Sequence, residues 1–76
     1  MLIRSQDKKM IFDMSGCTLS INLENEIVGF SNNIQDEDTP MKLGEYQTEE
    51  RAIEVLDEIC NRYESNKNRV FQMPEV

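Results

Sequence analysis

Histidine and tryptophan are absent from this sequence of 76 residues, and glycine occurs only three times, at positions 16, 29 and 44. Without histidine, the commonest acid–base chemistry near neutral pH and most zinc sites are excluded. Glycines this scattered cannot form a glycine-rich phosphate loop. No pair of carboxylates stands out from the others. We therefore expect a protein that is not an enzyme and that holds no cofactor or metal.

Cysteine is also scarce. Cys17 and Cys60 are isolated in the sequence, and each falls on the apolar face of a predicted strand or helix. This placement is typical of free, buried thiols and fits a reducing cytosol. No apolar run approaches membrane length, and the first ten residues are too polar for a signal peptide. We expect a cytoplasmic protein with no membrane association.

The net charge is −7, and it is unevenly distributed. Residues 10–41 carry six acids and no base, whereas residues 1–9 and 65–76 are mildly basic. Direct nucleic-acid binding is therefore not expected, because neutralising phosphates supplies most of that affinity. The length predicts one domain, 1–76, with a thin core. Small domains often compensate for a thin core by association, so we also expect a homo-oligomer.

The clearest local pattern is an amphipathic helix over residues 48–64. Thr48 is a good N-cap, and Glu49 and Glu50 complement the positive end of the helix dipole. Apolar residues then recur at intervals of three and four, which predicts one buried stripe. That stripe consists of Ala52, Val55, Leu56, Ile59, Cys60 and Tyr63.

Short strands are predicted before the helix. They cover 2–5 and 10–12, joined by a four-residue turn, then 17–23, 26–31 and 41–46. The orientation of strand 26–31 is unclear because Ile27 and Val28 are both apolar, and Gly29 suggests a bulge. The fold class is α+β: an antiparallel β-meander of about five strands packed on one C-terminal amphipathic helix. Residues 70–73 predict a short terminal edge strand, paired in its own sheet or with a neighbouring subunit.

One candidate site is basic. Arg4, Lys8, Lys9 and Arg69 lie near the two ends of the chain, and pairing of the last strand beside the first would bring them together. Guanidinium groups make bidentate contacts with phosphates. Either Tyr46 or Phe71 could then stack on a base. The alternative is that these are ordinary surface charges.

A second candidate site is acidic. Asp36, Glu37 and Asp38 are consecutive, and the outer face of the helix adds further carboxylates. This loop has neither the spacing nor the glycine of an EF-hand, so we do not expect a calcium site. Clustered carboxylates can instead occupy a basic groove on a protein that handles nucleic acid. The alternative is that the acids only aid solubility.

Four segments, 2–8, 43–46, 48–59 and 70–74, resemble a group of small uncharacterised proteins encoded by phages and prophages of Gram-positive bacteria. The shared motifs are structural, and the resemblance supplies no catalytic residue. It implies an accessory factor that acts in the cytoplasm of the infected host cell. Many such factors counter host defence, either by contact with a defence protein or by sequestering a nucleotide signal, commonly between subunits.

The sequence therefore favours a non-enzymatic, phage-encoded binding protein that sequesters a small nucleotide-like immune signal. The alternative is an acidic inhibitor of a host defence protein, similar to an anti-CRISPR that mimics nucleic acid. A structural or regulatory phage protein with no defence role is a third class.

Overall fold

The computed structural model describes residues 1–31, 40–64 and 70–76. The chain contains six strands and one helix in the described ranges. In order they are β1 (Leu2–Arg4), β2 (Ile11–Asp13), β3 (Cys17–Ile21), β4 (Glu26–Ser31), β5 (Met41–Glu45), α1 (Glu49–Glu64) and β6 (Val70–Gln72). The α+β class, with a single helix packed on short strands, is confirmed. No helix in these ranges is long and apolar enough to cross a membrane.

The strands form two sheets of three. One is an antiparallel meander in the order β3-β4-β5. The other, called the small sheet below, has the order β2-β1-β6; β2 is antiparallel to β1 and β6 is parallel to it. The terminal strand therefore pairs within its own chain, with Phe71 beside Ile3. The backbone N–H of Gln6 donates to the Leu43 carbonyl at 2.8 Å and joins the two sheets.

Helix α1 begins as the sequence predicts, because the Thr48 hydroxyl accepts a hydrogen bond from the backbone N–H of Arg51 at 3.0 Å. Ala52, Val55 and Ile59 are fully buried against both sheets. The buried stripe is narrower than predicted. Leu56 and Tyr63, which belong to the predicted stripe, instead line an apolar groove between α1 and the edge strand β3. Leu56 is therefore only half-buried, and Tyr63 is exposed.

The same groove explains why the two cysteines are more exposed than the sequence predicts. Cys60 is exposed and Cys17 is half-buried, so the prediction of two buried thiols is wrong; both are free. Each lines the groove between α1 and β3, where no further strand covers it in the described part of the chain.

Strand β4 settles the orientation that the sequence left open. The pairing with β5 shifts register between Ile27 and Val28, and both side chains are consequently buried, at 0% and 7% exposure. Gly29 follows directly. A Cβ at this position would lie 2.6 Å from Cζ of Phe12, so glycine is needed for β4 to approach the small sheet.

Candidate binding surfaces

Three of the four predicted phosphate-binding residues lie at or beside the β1–β2 turn. Lys8 adopts a left-handed backbone conformation, φ 67°, and its N–H donates to the Ser5 carbonyl at 2.9 Å. Arg4 closes the turn, since Nε and Nη2 both donate to the Lys8 carbonyl at 3.3 Å. Lys9 is exposed beside them. Arg4, Lys8 and Lys9 are called the basic turn below; Arg69 lies outside the described residues.

Two carboxylates offset the charge of the basic turn. Asp7 accepts hydrogen bonds from the Ser5 hydroxyl at 2.6 Å and from the Lys9 N–H at 2.9 Å. These bonds hold the pKa of Asp7 below its ordinary value, with that from Ser5 the larger influence. Lys8 Nζ lies 3.6 Å from a carboxylate oxygen of Glu75. The turn therefore presents three cations against two carboxylates, which makes it only weakly positive.

The two rings that were predicted to stack on a base lie in the core. Tyr46 is 5% exposed, and its hydroxyl donates to the Pro74 carbonyl at 2.9 Å. Burial raises the pKa of this hydroxyl to about 12. Phe71 is 3% exposed, with the Arg62 guanidinium 5.5 Å from its ring centre. This burial contradicts the stacking role, since alternation along β6 directs Phe71 inward and Tyr46 packs against the C-terminal segment.

Gln6 links distant parts of the chain, although the sequence pattern places it in a polar turn. Its Nε2 donates to the carbonyls of Glu45, Pro74 and Glu75 at 3.0, 3.1 and 3.0 Å. Its Oε1 accepts from the Glu45 N–H at 2.9 Å. One side chain thus holds β5 against the segment that follows β6. No local pattern marks it, because these partners lie at least 39 positions away.

A polar cleft of about 900 Å³ opens beside Gln6, at the start of α1. Its only cation among the described residues is Arg51, which already donates to the Val76 carbonyl oxygen at 3.0 and 2.9 Å. The cleft is otherwise acidic and therefore unsuited to an anion. Its lining consists of Gln6, Glu24, Asn25, Glu45, Tyr46, Gln47, Thr48, Arg51, Glu75 and Val76.

The outward side of α1 is strongly acidic. Five of its carboxylate side chains are exposed, and together they are called the acidic face: Glu49, Glu50, Glu54, Asp57 and Glu58. Arg51 offsets part of this charge, with Nη1 lying 3.1 Å from Glu54 and 3.8 Å from Glu58. The loop acids Asp36, Glu37 and Asp38, predicted to belong to the same surface, lie outside the described residues.

No family model, no curated protein and no solved structure matches the chain. Within residues 1–31, 40–64 and 70–76, no group of three side chains is arranged to hold a metal ion. Function must therefore be inferred from the two charged surfaces: the weakly positive basic turn and the strongly negative acidic face.

Proposed function

We propose that this chain is a non-enzymatic binding protein that docks on a basic surface of a partner protein through the acidic face of α1. Its setting is the one that the resemblance to phage proteins implies, in which the partner belongs to a host defence and contact blocks it. Docking on a protein is favoured over nucleotide binding because the two rings predicted to stack on a base are buried.

The observation that carries the proposal is the position of the carboxylates on the helix. At 100° per residue, Glu50, Glu54 and Asp57 form one stripe directly opposite the buried stripe of Ala52 and Val55. They are spaced by roughly 6 and 4.5 Å along the axis, wider than the ~3.4 Å between charges on one DNA strand but within a factor of two of it. A rigid row of this kind complements a groove that normally holds phosphates.

The test compares two variants with the same net charge. One carries Glu50→Gln, Glu54→Gln and Asp57→Asn on the acidic face. The other carries Glu24→Gln, Glu45→Gln and Glu75→Gln, which are exposed but lie off the helix. Each is expressed in bacteria that carry a defence system sensitive to the wild-type protein, and phage plating efficiency is measured. We expect the helix variant to lose protection and the second variant to keep it.

The defence protein is captured by its binding to the wild-type chain, and its affinity for each variant is then measured. We expect the variant that loses protection also to lose affinity. Binding of the wild-type protein should weaken as salt is added, because the attraction is between exposed charges. Equal loss in both variants would show that only net charge matters. Full protection by the helix variant would refute the acidic face as the docking surface.

A second function, sequestration of a small nucleotide-like anion, is favoured by one specific observation. Three cations gather on a single turn, and among the described residues Arg4 and Lys9 form no ion pair with a carboxylate. The guanidinium of Arg4 keeps N–H groups beyond those that donate to Lys8. Phosphate oxygens could bind there without help from a stacked ring.

Titration calorimetry with cyclic dinucleotides and ADP-ribose derivatives tests this second function. Lys9→Gln should weaken binding, whereas Lys42→Gln should not, because Lys42 is already paired with Glu26 and Glu45. Unchanged affinity in Lys9→Gln, or no binding by the wild-type protein, would exclude the basic turn as a phosphate site.

A further inference from the structure

The small sheet has one face in the core and one face in solvent. Ile3, Phe12 and Phe71 point inward. The alternate residues point outward and are exposed; they are called the outer sheet face and consist of Leu2, Arg4, Ile11, Asp13, Val70 and Gln72. An exposed sheet face is normally polar. Here half of the positions are aliphatic, with Leu2, Ile11 and Val70 exposed at 38%, 58% and 43%.

These six positions form a regular grid. Leu2 lies between Asp13 and Val70 in one row, and Arg4 lies between Ile11 and Gln72 in the next. The three aliphatic side chains therefore lie on adjacent strands and form one patch. Helix α1 packs on the opposite side of this sheet, so it does not cover the patch.

The charges on this face balance each other. Arg4 and Asp13 occupy diagonal positions on neighbouring strands, and they are the only ionisable groups among the six. The face is therefore neutral in a chain whose net charge is −7. Asp13 is ionised at neutral pH, as an ordinary aspartate would be, and the Ser15 N–H that donates to its carboxylate at 3.0 Å lowers its pKa further.

We infer that the outer sheet face is a self-association surface and that its occupant is a second copy of this chain, related by a two-fold axis. In this arrangement the two outer sheet faces stack on each other, and the two-fold axis lies in the plane between them. The axis runs between Arg4 and Asp13, so each Arg4 pairs with Asp13 of the second copy. The register then sets Leu2 near Leu2 and Ile11 near Ile11 across the axis. Such a contact is isologous and closes at two copies.

The Arg4–Asp13 diagonal favours an identical partner, because one surface presents both the cation and the carboxylate that pairs with it. Two acidic chains repel each other over most of their surface, and the neutral outer sheet face is where that repulsion is least. A small sheet of three-residue strands also gains most from a second sheet stacked on it, because short sheets are marginal alone. In this dimer both acidic faces point away from the contact, so the inference does not rest on the proposed function.

The experiment measures molar mass by light scattering and sedimentation velocity over a range of protein concentrations. We expect the wild-type protein at twice its 8.9 kDa chain mass. Ile11→Lys with Val70→Lys should give a monomer, with dimer affinity at least about tenfold weaker, since apolar anchors dominate such contacts. The control, Leu23→Lys with Ile53→Lys, adds the same charge at exposed apolar positions elsewhere and should remain dimeric.

A positive test uses a cysteine placed at the axis. In a Cys17→Ser, Cys60→Ser background, Ile11→Cys should form a disulfide-linked dimer under mild oxidation, whereas Ile53→Cys should not. A wild-type protein that remains monomeric at all concentrations would overturn the inference. So would dissociation of both lysine variants alike, or a dimer that survives Ile11→Lys with Val70→Lys. Circular dichroism of each variant separates dissociation from unfolding.

Discussion

Gln6 offers the sharpest test of how this fold is held together. Its amide contacts the backbone of Glu45, Pro74 and Glu75 and so connects the meander to the segment after β6. Replacing Gln6 by alanine removes this link but creates no clash. We therefore expect Gln6→Ala to fold to the same structure with lower stability.

The magnitude follows from the bonds that are lost. The side chain accepts one hydrogen bond and shares two N–H groups among three carbonyls, so three bonds at ~1 kcal/mol each give an upper value of ~3 kcal/mol. Gln6 is half-buried, and water replaces part of this contribution. We expect Gln6→Ala to lower the free energy of unfolding by about 2 kcal/mol. The melting temperature should fall by about 8–16 °C in a domain of this size.

Urea unfolding followed by circular dichroism measures this change. Gln47→Ala, at an exposed residue of the same cleft, is the matched control and should stay within about 0.5 kcal/mol of the wild type. Gln6→Glu should lower the free energy of unfolding more than Gln6→Ala does at neutral pH, because a carboxylate would face three carbonyl oxygens. That excess should shrink as acid protonates it. A Gln6→Ala protein as stable as the control would refute the idea that this amide links the two parts.

Three further predictions concern the core and two titrating groups. Ile59→Ala should cost about 3 kcal/mol and Leu56→Ala clearly less in urea unfolding, because Ile59 is 1% exposed and Leu56 is half-buried. The folded state lowers the pKa of Asp13 from 3.8. Its ionised carboxylate therefore stabilises the fold above that pH, and this stabilisation is lost as the pH falls through the folded pKa. Asp13→Asn should make the free energy of unfolding fall less steeply on the acid side. The folded state raises the pKa of Tyr46 from 10.0 to about 12, so its contribution is present below pH 10.0 and is lost as the pH rises through 12. Tyr46→Phe should lose about 1 kcal/mol at neutral pH, through the missing bond to Pro74, and should abolish that alkaline loss when unfolding is measured across pH.

The parts of the fold that the sequence predicted well are those determined by neighbouring residues. The start of α1 follows from Thr48 and the residues just after it, and the β1–β2 turn follows from a polar run between two apolar segments. Gly16 lies in the turn between β2 and β3 and adopts a positive φ, 68°, which glycine tolerates better than any other residue. Each of these depends on contacts within a few positions, which a local pattern contains.

The rest depends on contacts between distant residues. A strand pattern shows that 17–21 and 70–72 are extended, but not that they belong to different sheets. The alternation that exposes Val70 also buries Phe71, but the short pattern of this strand does not show which of its two faces meets the core. The local pattern does not place Tyr46 either, since the Pro74 carbonyl that accepts its hydroxyl lies 28 positions away. Residue type alone therefore places exposed cations and buried aromatic rings in the same candidate site.

The pairing of β6 with β1 also sets the order in which this chain can fold. Ile3 reaches its neighbour Phe71 only after the intervening 67 residues have been made, whereas residues 17–45 can assemble the antiparallel meander from near neighbours. Closing the longer loop costs more chain entropy, and contacts of wide sequence separation form late. Strand β1 therefore leaves the ribosome well before its partner β6 and remains unpaired on that edge until β6 is made. Until then Ile3 and the inner side of β1 remain uncovered, and that interval is when a nascent chain is most open to capture by chaperones or to aggregation.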